Sequence, residues 1–328
     1  MPKVTVIIPN YNHALYLPKR IDSVLGQTER DIEVILLDDC SPDNSREIIA
    51  HYAAQDKRIK VVLNEQNSGS TFRQWNKGCA LATGEYIWIA ESDDYADPRL
   101  LETLVARLEA DPQVGIAYCM SISVDEKSQP VGNHYAYYEE VDAQRWAHDF
   151  TMPGIELVQR YMPFRCIIPN ASAVVVRRSV IEQTGPADET MRLSGDWAYW
   201  SKILASSKVA FVAEPLNYFR QHTNNVRSKA LVTGLALAEE AHILKFLQQF
   251  GPLDSAVYQK KIDSLLQRWF YGMVNYNITP KVHKEIYARL AQVDPHFARR
   301  FASAFSRFLF GNNMSGIRQF IGDKLLAR

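Results

Sequence analysis

A glycine-rich phosphate loop is missing from this sequence. The segment that follows the first apolar run reads IIPNYNH, so neither GxGxxG nor GxxxxGK[ST] opens the chain. That excludes a dinucleotide-binding loop and a P-loop. There is no GxSxG, which excludes the elbow of a serine hydrolase. Cysteine is scarce. Cys40, Cys79, Cys119 and Cys166 lie far apart with no CxxC pair. A zinc ribbon or disulfide frame is excluded, and reduced thiols in a cytosolic protein are expected. No apolar run approaches the roughly 18 residues that span a bilayer. MPKVTVIIPN enters a strand pattern at once, so no signal peptide is expected. Net charge is zero, with 37 Lys/Arg against 37 Asp/Glu, so nothing in the bulk charge calls for a nucleic-acid partner.

What is present is an alternation of strand and helix. VTVII (Val4–Ile8), IEVILL (Ile32–Leu37), IKVVL (Ile59–Leu63) and YIWIA (Tyr86–Ala90) read as strands. Between them lie helical stripes at Leu15–Leu25, after Ser41-Pro42, at Thr71–Leu81 and at Pro98–Leu108. Ser41 and Asp97, each followed by proline, are expected to cap their helices. Strands apolar at nearly every position have both faces covered, the mark of a parallel α/β sheet. The segment from Ser121 to Arg165 looks irregular and tyrosine-rich. Ala173–Val176 and Val209–Val212 look like strands, and helix resumes from Leu231. With 328 residues, one large domain or two smaller ones are expected.

In such sheets ligands bind beyond the carboxyl ends of the strands. The residues there are Pro9 to Asn12, Asp38-Asp39, Asn64 to Gly69, and Glu91 to Asp94. Asp93-Asp94 admits two readings. One is an exposed acidic turn before the next helix. The other is a site for a hard divalent cation, Mn2+ or Mg2+, which lets carboxylates hold phosphate indirectly.

Several segments agree with the second reading. VTVIIPNYNHALYLPKRIDSVLGQT, DIEVILLDDCSPDNS and NSGSTFRQWNKGCALATGEYIWIAESDDYADP resemble the family-two glycosyltransferases of GT-A fold. The resemblance runs through about the first 120 residues and in fragments through about 225. It implies a GT-A type, mostly parallel sheet flanked by helices, with a helical C-terminal extension. It implies a catalytic domain over 1–228, a nucleotide-binding half (1–120) and an acceptor half (121–228), and a helical region over 229–328. Pro9, Asn10 and Tyr11 would line the base and ribose pocket, and Asp39 would contact the base. Arg73 and Asn76 would face the nucleotide. In the SDD stretch Asp94 would ligate the metal and Asp93 would touch ribose or sugar. SGDWAYW resembles the second signature of the family, with Asp196 as general base; otherwise Asp196 only caps a helix. Within NYFRQHTNN, Arg220 and His222 would reach the diphosphate or metal from a mobile loop. Asn170 would touch the acceptor or else serve a backbone turn. The other seven histidines show no ligand spacing and read as structural or surface residues.

The implied activity is inverting, metal-dependent transfer of a sugar from a nucleoside-diphosphate donor, UDP first, to a saccharide or lipid-linked hydroxyl. Cell-surface polysaccharide assembly is the implied setting. A nucleotidyltransferase is the rival enzyme class, and a non-catalytic sugar-nucleotide module the rival without chemistry. The last segment raises a separate question. From Lys281 to Arg328 there are nine Lys/Arg and three Asp/Glu, a surplus of about six. Phe297, Phe301, Phe305 and Phe308 recur there at helical spacing. The helix either packs on the protein or a second subunit, or lies peripherally on an anionic membrane.

Overall fold

The uninterrupted apolar runs become the centre of a sheet. β1 (Val4–Asn10), β2 (Ile32–Asp38) and β4 (Tyr86–Ile89) are buried at every position. The computed structural model describes residues 1–222 and 232–310. These form two units, 1–158 with 166–223 and 159–165 with the rest of the chain.

In the first unit a ten-stranded sheet runs in the order β3 (Ile59–Leu63), β2, β1, β4, β9 (Val174–Arg177), β6 (Val114–Val124), β10 (Lys208–Arg220), β5 (Tyr95–Ala96), with β7 (Pro130–Asn133) beside β6 and β8 (Phe150–Pro153) beside β10. β3 (Ile59–Leu63), β2, β1 and β4 are parallel. The helices α1 (Leu17–Leu25), α2 (Ser45–Gln55) and α3 (Thr71–Leu81) make the crossovers. Beyond β4 the sheet is mixed. β9 (Val174–Arg177) lies antiparallel between β4 and β6 (Val114–Val124), and α7 (Arg178–Thr184) follows it. β10 (Lys208–Arg220) runs parallel to β6, with register shifts on both sides of Pro215. The short β5 (Tyr95–Ala96) pairs antiparallel with the end of β10.

Apolar residues of α1 (Ile21, Val24) and of α4 (Leu100–Ala110; Leu101, Leu104, Leu108) pack on the sheet in one core cluster. On α3, Gly78 is a forced choice. A Cβ there would sit 2.4 Å from Ile7 Cγ2. The helix therefore approaches β1 closely and fixes what its own first turn presents.

Three expectations are corrected here. α2 begins at Ser45 rather than at Pro42, because Cys40 turns the chain with φ 61° and delays the helix. α4 begins at Leu100; Asp97 still accepts the Arg99 N–H (2.9 Å), so it organises the turn instead of capping directly. The segment expected to be irregular is ordered. It holds the end of β6, β7 (Pro130–Asn133), α5 (Tyr135–Asp142), β8 (Phe150–Pro153) and α6 (Gly154–Arg160). Tyr138 is core and stacks on Trp146 (4.9 Å, 8°), whose Nε1 donates to Tyr118 Oη on β6 at 2.8 Å; Tyr135 and Tyr137 are half-buried.

In the second unit, α9 (Leu235–Leu247), α10 (Ser255–Asn275) and α11 (Pro280–Val293) surround a core of their own. Asp254 and Thr279 cap α10 and α11. Residues 297–310 are helical, and Phe297, Phe301, Phe305 and Phe308 pack against this core, with Phe301, Phe305 and Phe308 meeting the Phe270 ring. The phenylalanine stripe thus faces its own unit. Among the described residues no helix is long and apolar enough to cross a membrane.

Glu240 ties this unit together, paired with Arg268 (2.6 Å) and with the buried Lys261. Burial alone would raise its carboxyl. Lys261 and Arg268 outweigh burial and hold it down at about 2. A carboxyl depressed on folding contributes fully above 4.5 and loses its contribution as pH falls towards about 2. Glu240→Gln should therefore destabilise the helices by about 3–5 kcal/mol at pH 7, and by much less at pH 3. Urea unfolding followed by circular dichroism at both pH values checks this; an unchanged midpoint at pH 7 contradicts it.

Candidate active site

The register of the parallel strands gathers the polar residues on one rim. Asn10 stands opposite Asp38, and Ile7 opposite Ile89. Pro9 is the penultimate residue of β1 and Tyr11, just past it, is exposed. Asn10 is buried and donates to Asp38 (3.0 Å) and Ser41 Oγ (3.1 Å). Asp38 also accepts from Arg46 Nε at 3.0 Å. Burial works against its ionisation, but the bonds from Ser41, Arg46 and Asn10 prevail and lower its pKa.

Asp39 is almost wholly covered. Its Oδ1 accepts from Asn64 Nδ2 (2.6 Å), the Ser68 N–H (2.9 Å) and Gln74 Nε2 (3.0 Å). Its Oδ2 accepts from Ser68 Oγ (2.8 Å) and Asn67 Nδ2 (3.2 Å). Five donors from one connection use about all the lone-pair capacity of a carboxylate. Asp39 therefore organises the 64–74 segment beside the rim.

The acidic segment follows β4. Its base is Arg20, fully buried on α1. Arg20 Nε donates to the Glu91 carbonyl (2.8 Å), Nη2 donates to Ser172 Oγ (3.0 Å), and Nη2 lies 3.9 Å from Asp94 Oδ2. Asp94 is 1% exposed, and its Oδ1 accepts the Arg220 N–H at 2.9 Å. Burial pushes Asp94 up to about 7, with Asp93 adding to the rise. Glu91 accepts from Trp75 Nε1 (2.7 Å); burial, then Asp93, drive it up to about 8.

Asp93 is the carboxylate presented outward, its side chain 20% exposed, with Oδ2 2.9 Å from His222 Nε2. Burial disfavours its charge; the His222 bond overrides this and lowers the pKa, while the same bond raises that of His222. His13 joins them. Its Nδ1 lies 2.8 Å from Ser92 Oγ, and its ring is nearly parallel to that of His222 (6.0 Å, 19°). One ligand atom each from His13, Asp93 and His222 lies within 4.8 Å of the others. These three are the described group that offers a cation a mixed nitrogen and oxygen set.

The remaining candidates have the following partners. Arg220 is the last residue of β10, not a loop residue, because the pairing with β6 continues to Arg220 opposite Val124. Its guanidinium is spent on the carbonyls of Asp93 (2.7 Å), Asp125 (2.7 Å) and Glu126 (3.1 Å) and on Ser128 Oγ (3.0 Å). Asn76 uses both ends of its amide on the chain at 187–189, donating to the Ala187 carbonyl (3.0 Å) and accepting the Ala187 N–H (2.8 Å). Arg73 is exposed and donates to the Ser68 carbonyl at 3.0 Å. Asn170 is buried and accepts the Ala173 N–H at 3.1 Å, a turn role. Asp196 stands in the first turn of α8 (Gly195–Ser206), half-buried. A Cβ on Gly195 would lie 2.5 Å from the Phe72 ring, so α8 begins pressed against α3. Trp75 links the two helices to the acidic segment, with Trp200 5.7 Å away by ring centroid and Glu91 at its indole N–H.

Residues 5–185 match the sequence profile described as Glycosyl transferase family 2. The chain belongs to this family. An uncharacterized glycosyltransferase of Nostoc sp. is 29% identical over 257 residues, which is 76% of this chain and 74% of that protein. Residues 1–349 of S. aureus TarS, solved with UDP-GlcNAc, match with TM-score 0.67 at 18% identity, covering 98% of this chain and 89% of theirs. A mannosyltransferase of Pyrobaculum calidifontis, solved with GDP-Man and Mn2+, matches with TM-score 0.58 at 16% identity over 99% and 86%. At these identities the structural likeness establishes the GT-A fold.

For this glycosyltransferase, sequence reasoning missed His13 and Arg20, and placed Glu91 at a strand end without a role. His13 reaches Ser92 across 79 residues and His222 reaches Asp93 across 129, so no local spacing reveals them. Arg20 does leave a signal: it is a charge placed one residue before Ile21 on the buried stripe of α1. Arg20→Met should cost about 3–5 kcal/mol at pH 8, since it strips a buried carboxylate cluster of its cation. The deficit should shrink towards pH 5. Carboxyls whose folded pKa is raised destabilise as pH rises through that value and are tolerated below it. Denaturant midpoints at the two pH values test this; equal losses at both count against it.

Proposed function

We propose that this glycosyltransferase moves a sugar, with inversion, from a nucleoside-diphosphate donor to a hydroxyl of a saccharide or lipid-linked acceptor. UDP is the first choice of nucleotide. Cell-surface polysaccharide assembly at the cytosolic face is the setting that the family suggests. The observation that carries the reading is the 2.9 Å approach of Asp93 Oδ2 and His222 Nε2 at the carboxyl ends of β1, β2 and β4. One carboxylate beside imidazole nitrogens suits a divalent cation, Mn2+ or Mg2+. Asp93 and His222 would hold it. Asp94, the ligand expected from sequence, would instead brace the segment from behind, since its Oδ1 is taken by the Arg220 N–H. When bound, the cation would offset the charge that builds on the departing diphosphate.

The protein groups do the rest. Pro9, Asn10 and Tyr11 would line the base and ribose, with Asp39 and its 64–74 connection as one wall of that pocket. Asp196 would act as base. The acceptor oxygen forms the new bond at the anomeric carbon, its proton passes to Asp196, and the bond to the diphosphate oxygen breaks. Arg220 would keep the cation-bearing segment in register rather than touch phosphate. A nucleotidyltransferase fits less well, because IIPNYNH after β1 offers no glycine-rich basic loop.

Thermal unfolding with UDP and Mn2+ tests the donor reading. A ligand at 100 times its Kd should add about 2.7 kcal/mol. Asp93→Ala should abolish the metal-dependent part; a full shift in that variant rejects the assignment. Asp196→Asn should keep the UDP–Mn2+ shift yet lower sugar transfer by about 100-fold or more. Turnover near the wild-type rate in that variant would remove the base.

A further inference from the structure

The cation reading above uses one carboxylate and one histidine. A second histidine stands in the same cluster, on a different element. His13 lies in the turn between β1 and α1, three residues beyond the end of β1. Its Nδ1 is engaged with the hydroxyl of Ser92, which is 1% exposed. That bond orients the ring and leaves Nε2 as the atom it can offer, the arrangement by which ligating histidines are usually held from behind. The two histidine rings lie nearly parallel, 19° apart, with centroids at 6.0 Å. His222 Nε2 and Asp93 Oδ2 are 2.9 Å apart. Two neighbouring ligands on one cation, each at about 2.1 Å, are separated by about 3.0 Å. The hydrogen-bond spacing already present is close to that of two adjacent ligands on an octahedral cation, so a cation could replace the shared proton with little movement.

We propose that His13, Asp93 and His222 form a two-histidine, one-carboxylate face that binds a transition-metal ion without help from the nucleotide. This rests on the glycosyltransferase reading and makes it more specific. A site with a single carboxylate relies on diphosphate oxygens to complete its hold, so cation and nucleotide bind together. Three protein ligands on one face hold the ion beforehand and leave the opposite positions open for diphosphate oxygens and water. The donor set also selects the metal. Imidazole nitrogen suits the later first-row ions, whereas Mg2+ takes oxygen ligands. The expected order of affinity is Zn2+ and Co2+ above Mn2+, with Mg2+ far below.

The full chain, stripped of metal with chelator and free of nucleotide, is titrated with MnCl2. Binding is followed by loss of the free-ion paramagnetic resonance signal, and the other ions by competition. One Mn2+ per chain is expected, with Mg2+ failing to displace it at 100-fold excess. His13→Ala should weaken nucleotide-free binding at least about tenfold, the least that loss of a directly ligating group should cost. With saturating UDP the same substitution should matter less, because diphosphate oxygens substitute. His51→Ala, on the exposed side of α2, should change nothing. Nitrogen couplings on bound Mn2+ should report two histidines in the wild type and one in His13→Ala, a readout that a folding defect would not imitate. No nucleotide-free binding, Mg2+ competing on equal terms, or an unchanged His13→Ala variant each overturns the proposal. A UDP–Mn2+ thermal shift without nucleotide-free binding would sink this inference and leave the donor reading standing. Nucleotide-free binding with no response to any nucleotide sugar would do the reverse.

Discussion

A single buried guanidinium makes the rim of this sheet possible. Three carboxylates fall within four residues, Glu91, Asp93 and Asp94, at the point where a buried strand ends. Unbalanced, they would repel one another and resist desolvation. Arg20 lies beneath them without exposure to water, bonded to the Glu91 backbone and to Ser172, and facing Asp94. Arg220 adds a second cation from the other flank, its guanidinium above the Tyr16 ring at 4.5 Å. The two arginines divide the labour. Glu91 and Asp94 are pushed towards neutrality by burial, while Asp93 keeps its charge and faces outward. One exposed negative charge over an inner positive one is a suitable seat for a cation and then for a diphosphate.

The elements that place this seat were legible in the sequence wherever burial is two-sided. β1, β2 and β4 are apolar along their length because helices cover both faces, and their ends were located within a residue or two. Helix starts were less legible. Proline marked both turns, but the backbone at Cys40 and the Asp97 turn delayed each helix beyond its proline. The segment from 121 to 165 was read as irregular because its tyrosines look like surface loop residues. The Tyr138 ring instead stacks on Trp146, and the hydroxyls of Tyr137 and Tyr138 bond the backbone carbonyls of Cys166 (2.6 Å) and Ile167 (3.0 Å).

The candidate site was legible as a set of strand-end polar residues and not as a set of roles. Sequence places Asp93 and Asp94 side by side with no means of deciding which turns inward. The decision comes from β10, which arrives from more than a hundred residues away and offers its Arg220 N–H to Asp94. Asn76 shows the same limit. It sits on the helix expected to face nucleotide, yet the 187–189 chain claims both ends of its amide.

That dependence on β10 has an evolutionary consequence. The strand runs in step with β6 only after its register is reset on either side of Pro215. Side chains alternate between faces along a strand, so the bulge decides whether Arg220 turns towards the acidic segment or away from it. Insertions or deletions of one residue between 213 and 216 would invert that parity and withdraw the guanidinium from the carbonyls of Asp93, Asp125 and Glu126. Length variation among homologues should therefore avoid the bulge.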